Sequence, residues 1–267
     1  MPIRPTQKRA IRGLSPGSEI RAVRLATESQ LVALGVLLYC IVRGLVYARP
    51  EQAFANAERV ISLEERAGLF RESSLQAWVL DRPILGTFAN WIYIWGHWPV
   101  IVGTLFWLAT RHPASYPLFR NALMLSGAMG FIFFVFFPVA PPRFFDSLGF
   151  VDTITLQSSS YRVLQPPSLA NPYAALPSFH FGWNLLMGIA IVQCAKSRWI
   201  RMTGVLLPVA MFWAIVATAN HFVVDGILGG LLVLLSLWLL RGPLAQAKAF
   251  IRAILTSQPD PWSHTLR

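Results

Sequence analysis

Long apolar stretches separated by short charged segments dominate this 267-residue chain. Runs from about Leu31 to Ala48, from about Ile84 to Ala109 and from about Ala122 to Ala140 each approach or exceed the roughly 20 residues that carry a helix across a bilayer. Another apolar run begins near Phe179 and stops before Lys196. The basic turn Lys196, Ser197, Arg198 then opens a final run from Met202 to Leu240. At 1.5 Å per residue that last run is too long for one crossing, so it must fold back on itself. Its one strongly polar cluster, Thr218, Asn220, His221 and Asp225, marks the point of reversal. The pattern therefore predicts an all-α, polytopic membrane protein with a bundle of six transmembrane helices.

Between the first two spans the pattern changes. Phe54, Ala57, Val60 and Ile61 recur at helical spacing among Glu58, Arg59, Glu64 and Glu65, and Leu75, Trp78 and Val79 continue the apolar stripe. This predicts an amphipathic outer helical segment that acts as a lid or collar. Residues 141–178 are rich in Pro and Ser and lack sustained periodicity, a length of irregular chain that points to function.

Composition agrees with a membrane chain: 55% of residues are hydrophobic, 13% are charged, and mean hydropathy is +0.51, against about a quarter charged in soluble domains. The formal net charge of +11 raises nucleic acid as a partner, but the positions of the basic residues argue against it. Arg4, Lys8, Arg9, Arg12, Arg21 and Arg24 precede the first apolar run, and Arg241, Lys248, Arg252 and Arg267 follow the last. The expected division is a basic tail over 1–30, a membrane domain over 31–240 and a second basic tail over 241–267. By the positive-inside rule both termini are cytoplasmic, with anionic lipid headgroups as the tails' partners. No cleavable signal peptide is expected, and Cys40 and Cys194 sit in apolar segments without a motif.

Two polar signals fall on the outer face of this topology. In His221-Phe-Val-Val-Asp225 the four-residue spacing lets a carboxylate hold one ring nitrogen while the other faces a substrate. In Leu176-Pro177-Ser178-Phe179-His180, Ser178 reads as the N-cap of the fourth span, whose dipole end favours anions. Arg143, in Ala140-Pro141-Pro142-Arg143, offers a planar fork for phosphate oxygens, with Arg162 a weaker candidate. An interfacial snorkelling role is the alternative for Arg143, and a structural polar pair the alternative for His221 and Asp225. Together two histidines, a carboxylate, an arginine and a helix N-terminus fit phosphoryl transfer. Asn90, Tyr93 and His97 share a face of the second span. Tyr93, His97, Asn171 and Tyr173 are candidates for a lipid or acceptor pocket, with packing as the competing role.

Asn171-Pro-Tyr-Ala-Ala-Leu-Pro-Ser-Phe-His180 and Ala219-Asn-His221-Phe-Val-Val-Asp225 resemble the second and third motifs of the type-2 phosphatidic acid phosphatase superfamily. The inositolphosphotransferase branch, which includes the inositol phosphorylceramide synthases, is the nearest match. The resemblance covers roughly residues 50–240. It implies a six-helix core, no metal or other cofactor, a phosphohistidine on His221 oriented by Asp225, and His180 as the acid for the leaving alkoxide. The chain departs from the phosphatase pattern in three places: Phe179 replaces a Gly, Ile215 stands where an Arg is usual, and Pro-Pro-Arg143 replaces the first motif. With one phosphate-binding Arg fewer, a phosphodiester headgroup fits better than a doubly charged monoester. The expected reaction is transfer of a phospho-headgroup such as inositol phosphate between lipids. Three alternatives stay open: an isoprenoid diphosphate phosphatase or cyclase on the same scaffold, a non-catalytic transporter or scaffold, and an iron site formed by His180, His221 and Asp225.

Overall fold

The computed structural model describes residues 49–154 and 171–247, together with helical positions between 28 and 42. It comprises two compact units, residues 1–41 and 42–267. Arg43, Arg162 and nearly all of both basic tails lie outside the described residues. The described positions of the first unit are helical.

Among the described residues of the second unit eight α-helices follow one another: α1 Pro50–Arg66, α2 Glu72–Leu80, α3 Pro83–Trp95, α4 Trp98–Arg111, α5 Tyr116–Phe136, α6 Phe179–Cys194, α7 Arg198–Ala217 and α8 Val223–Arg241. Two short 3-10 turns, Pro142–Phe144 and Asp146–Leu148, lie between α5 and α6. Among the described residues there is no β-sheet, only a parallel bridge between Val139 and Ala174. The all-helical class is thus as expected. Prolines open α1, α3, α4 and α5, where their missing N–H groups would have had no intrahelical partner.

Helices α5, α7 and α8 are long and apolar enough to cross a bilayer, and α3 with α4 makes a fourth if the bent pair is one span. The expected count of six is not reached among the described residues, because α6 is a shorter apolar helix and the helical stretch Ala33–Val42 is shorter still. The second span, expected as one helix, breaks between Trp95 and Trp98 and bends by 45°. Pro99 explains the break, since its ring would strike the carbonyl of residue 95 and it donates no hydrogen bond. The reversal inside the last apolar run falls where the polar cluster placed it, between Ala217 and Val223.

The outer segment docks by its apolar stripe. Ala53, Asn56, Ala57, Val60, Ile61 and Glu64 of α1 are buried, packed on Val139, Ala140, Ala175, Leu176 and Phe222. Asn56 Nδ2 donates to the Pro138 carbonyl at 2.9 Å and the Ala140 N–H to the Ala53 carbonyl at 3.1 Å. The collar is therefore part of the folded core and covers the chain that leads into α6 and α8.

Glycines let α6 lie close to both α7 and α8. A Cβ on Gly188 would stand 2.3 Å from the Gly204 carbonyl oxygen, and one on Gly182 would stand 2.6 Å from that of Gly229. A Cβ on Gly229 would reach within 2.2 Å of the Ser178 carbonyl oxygen. Small residues at helix crossings allow this backbone approach inside a membrane. At the same crossing the Ser178 N–H donates to the Asp225 carbonyl at 2.9 Å, joining the two polar motifs through the backbone. Gly229→Ala is expected to force the start of α6 off α8 at a cost of about 1–3 kcal/mol. A lower thermal midpoint in detergent, accompanied by lost activity, is the outcome to measure.

Candidate active site

The five-residue reversal between α7 and α8 is built to present His221. The N–H groups of Asn220 and His221 both donate to the Ile215 carbonyl at 3.1 Å, and Arg143 N–H donates to the Ala219 carbonyl at 2.8 Å. Ala219 adopts φ +50°, a left-handed conformation that a residue with a Cβ takes only where its surroundings fix it. Thr218 and Asn220 brace the turn: Asn220 Nδ2 donates to the Thr218 hydroxyl at 2.8 Å.

His221 is buried, and its Nδ1 lies 2.8 Å from the Ala175 carbonyl oxygen. A carbonyl only accepts, so Nδ1 carries the proton and Nε2 of the neutral ring keeps its lone pair. This refines the expected role of Asp225. Its Oδ2 stands 3.5 Å from the same Nδ1 and accepts the Phe222 N–H at 2.8 Å. Asp225 caps α8 and stands beside the ring, while the shorter contact that fixes the tautomer comes from the Ala175 backbone.

His180 sits in the first turn of α6, behind Ser178. Ser178 is fully buried, and its hydroxyl accepts the Phe181 N–H at 3.4 Å, the expected capping role. The His180 and His221 ring centroids are 5.6 Å apart. Tyr93 stacks on His180 at 4.2 Å and 16°; His97 stacks on it at 4.1 Å and 30°. Both candidates from the second span thus contact the catalytic candidate directly. His97 stands at the break before α4, so the bend in that span delivers its ring. Asn90 bonds instead to Thr153, through its Nδ2 to the carbonyl at 3.3 Å and from the Thr153 hydroxyl at 3.0 Å, the packing role weighed for it.

Arg143 is tied down on several sides. Its Nη1 donates to Asn220 Oδ1, its Nε lies 3.6 Å from Asp152 Oδ2, and its guanidinium covers the Phe144 ring at 4.9 Å. Asn171 Oδ1 accepts the Tyr173 N–H at 3.1 Å, and Tyr173 packs among Phe54 and Phe144. Arg162 lies outside the described residues.

Two of the three departures from the phosphatase motifs, Phe179 and Ile215, have visible counterparts. Phe179 stacks on Trp183 at 4.5 Å and 5° and lies over Gly130, where a Cβ would meet its ring at 2.3 Å. Ile215 is fully buried, and at this position the backbone carbonyl, rather than a side-chain cation, serves the His221 turn. A groove of about 760 Å³ lies between α3 and α7, lined by Phe88, Trp91, Ile92, Gly96, Met211 and Asn184 among others. Asn184 Nδ2 donates to the His180 carbonyl at 2.9 Å.

A family model described as PAP2 superfamily matches residues 58–239, a stretch that contains both histidine motifs, Arg143 and most of the collar. The chain belongs to the PAP2 superfamily. No curated protein and no solved structure gave a significant match. Membership of the PAP2 superfamily points to phosphatase-type chemistry on lipid phosphates, and the apolar helices to a membrane setting. Among the described residues no group of three His, Cys, Asp or Glu side chains is placed to hold a metal ion.

Sequence reasoning passed over Glu64 and Glu72, which are fully buried. Glu64 Oε1 accepts the Val224 N–H at 2.7 Å, and Glu72 Oε1 accepts the Val223 N–H at 2.8 Å. A signal existed for Glu64, which follows Ala57, Val60 and Ile61 at seven, four and three residues and so falls on their buried stripe. Asp152, which with Asn220 holds Arg143, has no such signal, and Asn220 is marked only as part of the polar cluster. Arg143→Lys keeps the charge but cannot reproduce the forked contacts. With charged hydrogen bonds worth roughly 1.5–3 kcal/mol, turnover is expected to fall about 10- to 100-fold at an unchanged melting temperature.

Proposed function

We propose that this chain is a membrane phosphotransferase that moves a phospho-headgroup, such as inositol phosphate, between lipids through a phosphohistidine on His221. The observation that carries the proposal is the pairing of His221 with His180, one ring held with Nε2 free and the other 5.6 Å away. In the first step His221 Nε2 attacks phosphorus. A P–N bond forms, the P–O bond to the leaving lipid alcohol breaks, and His180 gives that alkoxide its proton. In the second step an acceptor hydroxyl attacks phosphorus, the P–N bond breaks, and the acceptor's proton goes to His180. Arg143 neutralises the phosphate oxygens throughout, and no metal enters either step.

Transfer of a diester headgroup is favoured over monoester hydrolysis by the charge at the site. Arg143 is the guanidinium tied to the His221 turn, and the position where the superfamily usually places another arginine holds buried Ile215. The apolar groove between α3 and α7 suits a lipid chain. The distribution of Lys and Arg supports cytoplasmic termini and a site on the extracytoplasmic face.

The test offers the protein, in lipid, labelled phosphatidylinositol, phosphatidic acid and a polyprenyl diphosphate in parallel. Headgroup label moving to an acceptor lipid from the first substrate is expected, with or without a chelator. His221→Ala should abolish turnover and the trapped phosphohistidine while the protein still folds. Full activity in that variant removes the nucleophile assignment, and release of free phosphate alone, from any of the three, replaces transfer with hydrolysis.

A further inference from the structure

The first backbone N–H groups of α8, those of Phe222, Val223 and Val224, are each taken by a carboxyl group from a different element. Asp225 of α8 itself accepts the first, Glu72 of α2 the second and Glu64 of α1 the third, at 2.7 to 2.8 Å. All three side chains are fully buried. Glu72 is fixed further by the Arg71 N–H, which its Oε2 accepts at 2.9 Å. Glu64 Oε2 and Asp225 Oδ1 have no hydrogen-bond partner. One helix N-terminus supplies the equivalent of about half a positive charge, too little to hold three buried anions together.

We propose that Glu64 is a positioning residue of this enzyme, whose buried carboxyl group fastens the collar helix α1 to the start of α8 and so sets His221. Burial pushes the Glu64 carboxyl up to about 9, and neighbouring Glu72 and then Asp225 push it the same way. The titratable groups acting on Glu64 are Glu72 from α2 and Asp225 from α8, and His221 in turn lies 3.5 Å from Asp225. The folded protein keeps this proton up to about pH 9, whereas an unfolded chain releases it near the ordinary 4.5. The folded state therefore binds more protons across that window, and its stability falls as pH rises through it. Above the window an ionised Glu64 crowds the other carboxyl groups at the start of α8, and the two residues before Val223, His221 among them, lose their fixed place.

Glu64→Gln separates this role from a charged one, because the amide oxygen still accepts the Val224 N–H and cannot ionise. Its kcat at pH 7 is expected within about threefold of wild type, with the alkaline limb of the pH profile moved up. Its melting temperature in detergent should gain on wild type progressively from pH 6 to pH 9. Glu64→Leu leaves the Val224 N–H unpaired and should lower kcat more than tenfold with KM little changed. A Glu64→Gln variant as inactive as Glu64→Leu, or one whose melting temperature tracks wild type at every pH, overturns the proposal; so does a fully active Glu64→Leu. The inference rests on the phosphotransfer reading only for its assay substrate. If wild type turns over none of the lipids offered, that reading fails alone, and the melting comparison still decides the role of Glu64.

Discussion

The N-terminus of α8 is where the structure meets its hardest constraint. A helix that begins inside a packed bundle exposes N–H groups with no intrahelical partner and no water to take them. Here carboxyl oxygens of Asp225, Glu72 and Glu64 accept them, and the carbonyl of Asp225 accepts the N–H of Ser178. The collar, the fourth apolar segment and the last one therefore converge on a single turn of backbone. His221 stands immediately before that turn, so its position follows from the way those hydrogen bonds are satisfied.

The same logic accounts for the surroundings of the histidines. His221 is oriented by a backbone carbonyl in the chain before α6, while His180 is oriented by ring stacking with Tyr93 and His97. One ring is held by directional hydrogen bonding and the other by flat contact, a division that suits a fixed nucleophile and a partner that gains and loses a proton. Glycines at 182 and 229 bring the supporting helices to backbone contact. Arg143 reaches the site from the irregular segment after α5 and is tethered through Asn220, the residue next to His221. The guanidinium and the proposed nucleophile are thereby tied to one turn.

Much of this was legible in the chain. Hydrophobic run lengths determined an all-helical membrane protein, and the isolated polar cluster determined where the last run reverses, because a carboxylate and an imidazole are costly anywhere else in such a run. The Ser178 cap and the two histidine motifs were written locally, and the superfamily follows from them. The stripe through Ala57, Val60 and Ile61 marked the face of α1 that is buried.

Tertiary structure alone decided the rest, since the contacts join residues far apart in sequence. That Ala175 rather than Asp225 makes the shorter contact to His221 depends on a backbone carbonyl, which no side-chain pattern reports. The break at His97 turns an expected straight span into two helices and carries a ring onto His180. Glu72 carries no local signal and Glu64 only its place on the stripe, yet they meet α8 at separations of 151 and 160 residues. Sequence registers how polar a residue is; only the packed fold shows which unpaired group that polarity answers.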